Sequence, residues 1–283
     1  MSTQQKVWFV TGASKGLGLT LVKKLLSSGH SVAATSRNVD ELTAAVGATQ
    51  DQSFLALAMN LKSEQSVADA ITKTIEKFDR VDVVVNNAGY GLLGALEELT
   101  DEEARDNFEV NVFGSLNVIR QVLPQLRKQQ SGNIFNIASI GGFSGNYPGF
   151  GIYCATKFAV HGFTESLAAE VKEFGIHATV VSPGYFRTEF LTSGSMGTPG
   201  NPIAEYTAVR QSQQFHEQDM NNNQAGDPEK AADVLIEVAS SPNPPLHLFL
   251  GQDAYDVAYA KIDAVKTDLE TWKQQTISTG FSK

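Results

Sequence analysis

Val7-Trp8-Phe9-Val10, continued by Thr11-Gly12-Ala13-Ser14-Lys15-Gly16-Leu17-Gly18, is the stretch on which the fold turns. Four apolar residues in a row are too few for a helix and suit a buried strand. Beyond the glycines, Leu19, Leu21, Val22, Leu25 and Leu26 recur at helical spacing, and Gly29 stops the pattern. The order is strand, glycine turn, helix. Gly12 permits a tight turn, Gly16 lets the backbone approach a phosphate, and Gly18 lets the helix pack closely on the strand. Ser14, Lys15 and Leu17 complete the turn and are candidate contacts to the same ligand. A helix starting here turns free N–H groups and a partial positive charge toward an anion. The spacing is Gly-x-x-x-Gly-x-Gly rather than the more familiar Gly-x-Gly-x-x-Gly.

Outward from this unit, apolar runs and helical patterns alternate. Strands are expected at Ser31–Ser36, Phe54–Met59, Val81–Val85, within Ser131–Ala138, at His177–Val181 and at Leu246–Gly251. Helices are expected at Asp40–Val46, at Ser63–Phe78 with Ser63 as cap, at Thr100–Arg127, and from Asp227-Pro228 to about Ala239. Strands rich in β-branched residues that alternate with helices imply a parallel sheet of about seven strands, covered on both faces. Ligands of such sheets lie at the carboxyl ends of the strands. The glycine turn, Asn60-Leu61 and the turn Asn86-Asn87-Ala88-Gly89 all fall there.

The second strand ends in Ser36-Arg37-Asn38, where an acid would hold the ribose 2′-hydroxyl of NAD. A guanidinium in that place can grip a 2′-phosphate through two parallel hydrogen bonds, and Lys15 adds a second cation. The expected cofactor is NADP(H).

A second informative stretch runs from Ser139 to Lys157. Tyr153 and Lys157 are four apart and share one face of a helix. An ammonium beside a phenol favours the phenolate, so Lys157 is expected to lower the Tyr153 pKa. Ser139 can meet this pair across the loop. Asn111, followed by Val112-Phe113-Gly114, breaks the pattern of the long helix and suggests a kink with a bound water.

Composition narrows the class. The chain has 283 residues and a net charge of −9, which argues against nucleic acid or an anionic membrane as the partner. Cys154 is the only cysteine, so an internal disulfide and a cysteine metal cluster are excluded. The five histidines show no metal-ligand spacing, and no metal is expected. The amino terminus lacks a signal-peptide core and no apolar run is long enough to span a membrane, so a cytoplasmic protein is expected.

With these residues in hand, the chain resembles the short-chain dehydrogenase/reductase family, in its branch of roughly 250-residue single-domain members. The resemblance rests on Thr11 to Gly18, Asn86-Asn87-Ala88-Gly89, Asn111, Ser139, Tyr153-Cys154-Ala155-Thr156-Lys157 and Pro183-Gly184. It implies an α/β, Rossmann-type doubly wound fold, here one domain over 1–283, and NAD(P)-dependent interconversion of a carbonyl compound and an alcohol. Tyr153 would be the general acid–base. Lys157 would tune it and hold the nicotinamide ribose. Ser139 would polarise the carbonyl, and Asn111 would hold a water linking Lys157 to solvent. Asn87, Ala88 and Gly89 would line the adenosine side, and Pro183-Gly184 the nicotinamide side, with Thr188 near the cofactor amide. Asn60 stands where many members carry Asp, and its side-chain oxygen can still accept from the adenine amino group.

The resemblance also implies that the segment after Pro-Gly, about 185–226, forms a substrate lid. Leu92, Leu93, Phe143, Tyr147, Tyr185, Phe186, Phe190, Leu191 and Met196 would give a hydrophobic pocket. Cys154 and the Ser139/His161 pairing are set aside as packing residues and as a triad without an acid. The expected activity is that of an NADPH-dependent carbonyl reductase or alcohol dehydrogenase. An epimerase or dehydratase on the same scaffold and a non-catalytic NADP(H)-binding sensor are the alternatives. A homodimer or homotetramer is expected through the helices of Asn111 and Tyr153. The polar helical extension, about 253–283, can support or block either.

Overall fold

The computed structural model describes residues 5–47, 52–192 and 194–281. Position 193 of the expected lid and the last two residues of the extension lie outside the described residues, as do residues 1–4 of the amino terminus. The chain runs β1 (Val7–Val10), α1 (Gly16–Ser27), β2 (Ser31–Ser36), α2 (Val39–Val46), β3 (Phe54–Ala58), α3 (Glu64–Phe78), β4 (Val83–Asn86) and β5 (Gly91–Leu92). It continues through α4 (Asp101–Phe108), α5 (Gly114–Gln129), β6 (Gly132–Ile137), α6 (Gly151–Val171), β7 (Ile176–Pro183), β8 (Met196–Gly197) and α7 (Thr207–Gln214). The last elements are α8 (Pro228–Ser240), β9 (His247–Leu250), α9 (Gln252–Thr271) and α10 (Lys273–Ile277).

Seven strands form one parallel sheet in the order β3-β2-β1-β4-β6-β7-β9. The order reverses at β1, so the glycine turn after β1 and the turn after β4 face each other across a crevice. Alternation along the strands sorts the core. Trp8, Val10 and Phe135 pack toward α1 and α8, against Leu21, Leu25 and Leu235. Phe9, Val84 and Ile134 point the other way, onto Val67 and Ile71 of α3, Val122 of α5 and Leu167 of α6. Each such large apolar side chain stabilises the fold by about 1.5–3 kcal/mol through burial.

Helix starts follow local chemistry. Ser63 accepts from the Ser66 N–H, Asp227 accepts from the Glu229 N–H with Pro228 in the first turn, and Thr100 with Glu103 forms a capping box. The second helix begins one step earlier than Asp40 suggested, because Asn38 caps it by accepting from the N–H groups of Asp40 and Glu41. The long helix expected over Thr100–Arg127 is two helices flanking a π-turn at Glu109–Phe113, and Asn111 lies in that wide turn. One further pairing, the short parallel contact of β5 with β8, was not foreseen. Two residues per strand leave no alternation to detect.

A buried polar chain crosses from sheet to helix: Asn86 donates to Asn136 at 2.8 Å, and Asn136 donates to the Thr164 hydroxyl at 2.9 Å. It fixes α6 over β4 and β6, and α6 carries Tyr153 and Lys157. Among the described residues, no helix is long and apolar enough to cross a membrane.

Candidate active site

A cavity of about 890 Å³ runs along the carboxyl edge of the sheet. At one end is the turn after β1. The Thr11 hydroxyl accepts from the N–H groups of Asn87 and Ala88, each at 3.0 Å, and the Asn87 amide donates back to the carbonyls of Thr11 and Gly12. The two turns are thereby one unit. Gly12 has φ +64°, and a Cβ there would lie 2.7 Å from the Ala88 Cα. Only glycine allows both the backbone shape and the approach. No side chain caps the start of α1, so its first N–H groups open toward the cavity.

Of the residues singled out from sequence, Gly12, Ser14, Lys15, Gly16, Leu17, Ser36, Arg37, Asn60, Leu61, Asn87, Ala88 and Gly89 line this cavity. Ser139, Tyr153, Lys157, Pro183, Gly184 and Thr188 line it too. Gly18 does not: a Cβ there would lie 2.5 Å from the Asn87 amide nitrogen and 2.6 Å from the Gly12 carbonyl, so its place is in packing helix against turn. Arg37 is exposed, and no ion pair or hydrogen bond is seen on its guanidinium among the described residues. Lys15 donates to the Gly194 carbonyl at 2.8 Å and bridges the glycine turn to the segment opposite. The Asn60 side-chain oxygen accepts from the Lys62 N–H at 3.1 Å and retains one lone pair. Thr188 stands over Gly16, 3.5 Å from where its Cβ would be.

At the other end are Ser139, Tyr153 and Lys157. Tyr153 and Lys157 are both buried on α6, and the ammonium lies 5.8 Å from the phenol ring centre. Lys157 donates to the Ile137 carbonyl at 2.9 Å. The Ser139 hydroxyl accepts from the Gly141 N–H at 3.1 Å, on the same side of the cavity as the Tyr153 phenol. The electrostatics differ from the sequence expectation. Burial raises the Tyr153 pKa well above the ordinary tyrosine value; the nearby Ser139 hydroxyl pulls it back only in part, and Lys157 is not among the groups that move it. Burial also lowers Lys157 from 10.5 to about 8. Desolvation opposes charge on either group and is the dominant influence on both.

Asn111 is one layer behind the cavity. Its amide accepts from the Tyr90 N–H and donates to the Tyr90 carbonyl, both at 3.0 Å, and reaches the Thr156 hydroxyl at 3.1 Å. It holds the strand-to-loop passage next to Gly89 against α6.

Of the expected apolar lining, Tyr147, Tyr185, Phe186, Phe190, Leu191 and Met196 reach the cavity. Leu93 packs behind it, and Phe143 lies against Phe249 and His161 instead. Cys154 does line the cavity, with a thiol that burial pushes up to about 11, so it stays protonated at neutral pH. Among the residues missed in sequence, three shape the end of the cavity near Tyr153 and Tyr185. Phe150 lines the wall beside Tyr153. His216 comes from a π-turn, Phe215–Met220, that continues α7. Its Nδ1 lies 2.6 Å from the Ser212 carbonyl, which places the proton there and leaves Nε2 to accept from the Tyr185 hydroxyl at 2.8 Å. Asp253, at the root of α9, accepts from the Tyr185 N–H at 2.7 Å and so braces the turn after Gly184. A lone histidine in a polar run and an acid 68 residues away carry no local signal.

The histidines are less scattered than their sequence positions suggest. Ligand atoms of His161, Glu165 and His247 lie within 4.8 Å of one another outside this cavity. His161 is already engaged with the Ser182 hydroxyl at 2.9 Å.

Comparison with known proteins agrees with this geometry. A family model described as short chain dehydrogenase matches residues 6–196. Oxidoreductase BOA17 of Botryotinia fuckeliana is 35% identical over 275 residues, covering 97% of this chain and 99% of that one. A 3-ketodihydrosphingosine reductase of Bacteroides thetaiotaomicron is 34% identical over 249 residues, 88% of either chain. Among solved structures, a short-chain dehydrogenase from Streptomyces avermitilis superposes with a TM-score of 0.88 at 35% identity, covering 97% of this chain and 100% of that one.

Proposed function

The chain belongs to the short-chain dehydrogenase family and is an oxidoreductase; from that premise we propose that it is an NADPH-dependent reductase of hydrophobic ketones or aldehydes, working in reverse as an alcohol dehydrogenase. The observation that carries the reading is the placement of Ser139, Tyr153 and Lys157 at one end of the same cavity whose other end is the glycine turn. The residues fit a nicotinamide dinucleotide: an uncapped helix start, a turn that a Cβ at Gly12 would block, and a guanidinium beyond β2. Gly12 to Leu17, Ser36, Arg37, Asn60 and Asn87 to Gly89 would hold it, and Pro183, Gly184 and Thr188 would flank its reactive end. When bound, NADPH supplies the hydride.

The chain's own residues handle the proton. Burial keeps Tyr153 protonated at neutral pH, which suits a donor to a carbonyl oxygen that becomes an alkoxide, a far stronger base than a phenolate. Ser139 takes the Gly141 N–H on its oxygen, leaving its own proton to hydrogen-bond the same substrate oxygen. Lys157, pinned to the Ile137 carbonyl, places positive charge beneath the phenol once a polar ligand fills the cavity. Asn111 is a positioning residue, acting through Tyr90 and Thr156. The apolar wall from Tyr185 to Met196, with Tyr147, Phe150 and Cys154, supports a hydrophobic substrate, as does the likeness to a 3-ketodihydrosphingosine reductase. The Tyr185–His216 pair is the polar spot on that wall.

Segment 185–226 acts as the lid in this account, tied down where the buried Glu98 carboxylate accepts from the Ala95 and Ile203 N–H groups and from Arg210. A cytoplasmic setting, and association of copies through the helices of Asn111 and Tyr153, where Phe113 and Phe158 are exposed, complete the proposal. The test is NADPH oxidation over carbonyl compounds graded by size and polarity. Turnover that rises with apolar size supports it. No turnover of any ketone or aldehyde, with cofactor bound, favours an epimerase, a dehydratase or a sensor.

A further inference from the structure

Helix α6 carries more than Tyr153 and Lys157. One turn beyond Lys157 it bears His161, and one turn further Glu165, so these two share a face. The edge strand β9 brings His247 against that face. One ligand atom from each of the three side chains lies within 4.8 Å of the other two, outside the cavity. Among the described residues, neither the Glu165 nor the His247 side chain has a hydrogen-bond partner. Their own approach, 3.9 Å from His247 Nε2 to a carboxylate oxygen, is too long for one. The spacing leaves room for an ion instead. Three atoms no more than 4.8 Å apart share a centre at most about 2.8 Å from each, and zinc–nitrogen and zinc–oxygen bonds are about 2.0–2.2 Å. Closing that difference takes less than an ångström from each ligand. Glu165 and His247 can supply it, because both side chains are partly exposed and unpinned.

His161, by contrast, is held in place. It is buried, Phe143 packs on its ring with centroids 5.9 Å apart, and the Ser182 hydroxyl meets its Nε2 at 2.9 Å. A histidine that ligates a metal through one ring nitrogen characteristically donates the other N–H to an oxygen, which fixes ring and tautomer. With Nε2–H on Ser182, Nδ1 is the bare nitrogen.

We infer that His161, Glu165 and His247 bind one divalent late first-row metal ion, zinc fitting best, with water in the fourth position. Two imidazoles and one carboxylate suit zinc and its neighbours, whereas magnesium and calcium prefer oxygen throughout. The ion clasps β9 to α6 and, through Ser182, to β7. The site faces away from the cavity, so its role is to stabilise this edge of the sheet, with no part in hydride or proton transfer. Sequence spacing concealed it, because His247 reaches α6 only through the pairing of β9 with β7.

The test uses untagged full-length protein, stripped with a chelator and titrated with cobalt(II) as a visible stand-in for zinc. The wild type should take up one equivalent and develop the d–d absorption of a four-coordinate ion, which zinc then displaces. Glu165→Gln and His247→Ala should each weaken binding at least about tenfold, and Ser182→Ala about 10–100-fold. His177→Ala, an exposed histidine elsewhere, should bind as the wild type does. Zinc at a hundredfold excess over its dissociation constant should raise the melting temperature of the wild type by about 5–10 °C and leave that of His247→Ala unchanged. All these proteins should melt alike without metal if the substituted side chains serve only the ion. Absorption that appears only at millimolar cobalt, or that survives both Glu165→Gln and His247→Ala, overturns the inference. So does zinc stabilising His247→Ala as much as the wild type.

Discussion

Lys157→Met should leave the cofactor-free protein as stable as the wild type at pH 7, or more so, while removing its activity. Lys157 is buried, and burial lowers its pKa from 10.5 to about 8. At pH 7 both folded and unfolded chains carry the charge, and holding it out of water costs the fold about 3 kcal/mol. Methionine removes that cost but strands the Ile137 carbonyl that Lys157 now satisfies, a loss of about 1–3 kcal/mol. The two nearly cancel at neutral pH. They part company as pH rises: between about 8 and 10.5 the folded wild type sheds the proton while its unfolded chain keeps it. From pH 7 to pH 10 the wild type should therefore gain about 2–3 kcal/mol relative to Lys157→Met. Urea denaturation of both proteins at the two pH values measures this double difference, in which every other titrating group cancels. A difference that does not change with pH would mean that Lys157 is not held in a desolvated site, and the reasoning fails.

Arg37→Asp should lower kcat/KM for NADPH about 100-fold and shift preference toward NADH, since it removes two charge-assisted bonds and adds repulsion. A wild-type preference for NADH contradicts the cofactor assignment. Gly18→Ala should destabilise the protein by about 1–3 kcal/mol and raise KM for the cofactor, because its Cβ would press on the Asn87 amide and the Gly12 carbonyl. A wild-type melting temperature and KM would show that helix and turn have room to separate.

How much was legible in the sequence varies with the range of the interaction. The turn from Thr11 to Gly18, the caps at Ser63 and Asp227 and the strands of the parallel sheet are local patterns, and the structure has them within a residue or two. Ser139, Tyr153 and Lys157 fall on one cavity wall because i,i+4 geometry and a strand end place them there. What escaped depended on the chain folding back. His216 looked like one polar residue among Gln and Asn, until a π-turn aimed it at Tyr185. Asp253 reached Tyr185 only because β9 lies beside β7. The Tyr153 environment was misjudged for the same reason: adjacency of Lys157 can be read from spacing, but the depth of burial that raises the phenol pKa cannot.

The central claim is that Tyr153 delivers the proton in carbonyl reduction. The direct measurement is NADPH oxidation by Tyr153→Phe on the ketone that the wild type reduces best, alongside fluorescence titration of NADPH binding. The account predicts a fall in kcat of at least about 100-fold with NADPH affinity kept within about threefold. Phenylalanine fills the same buried space and lacks only the hydroxyl, so turnover at the wild-type rate would contradict the account.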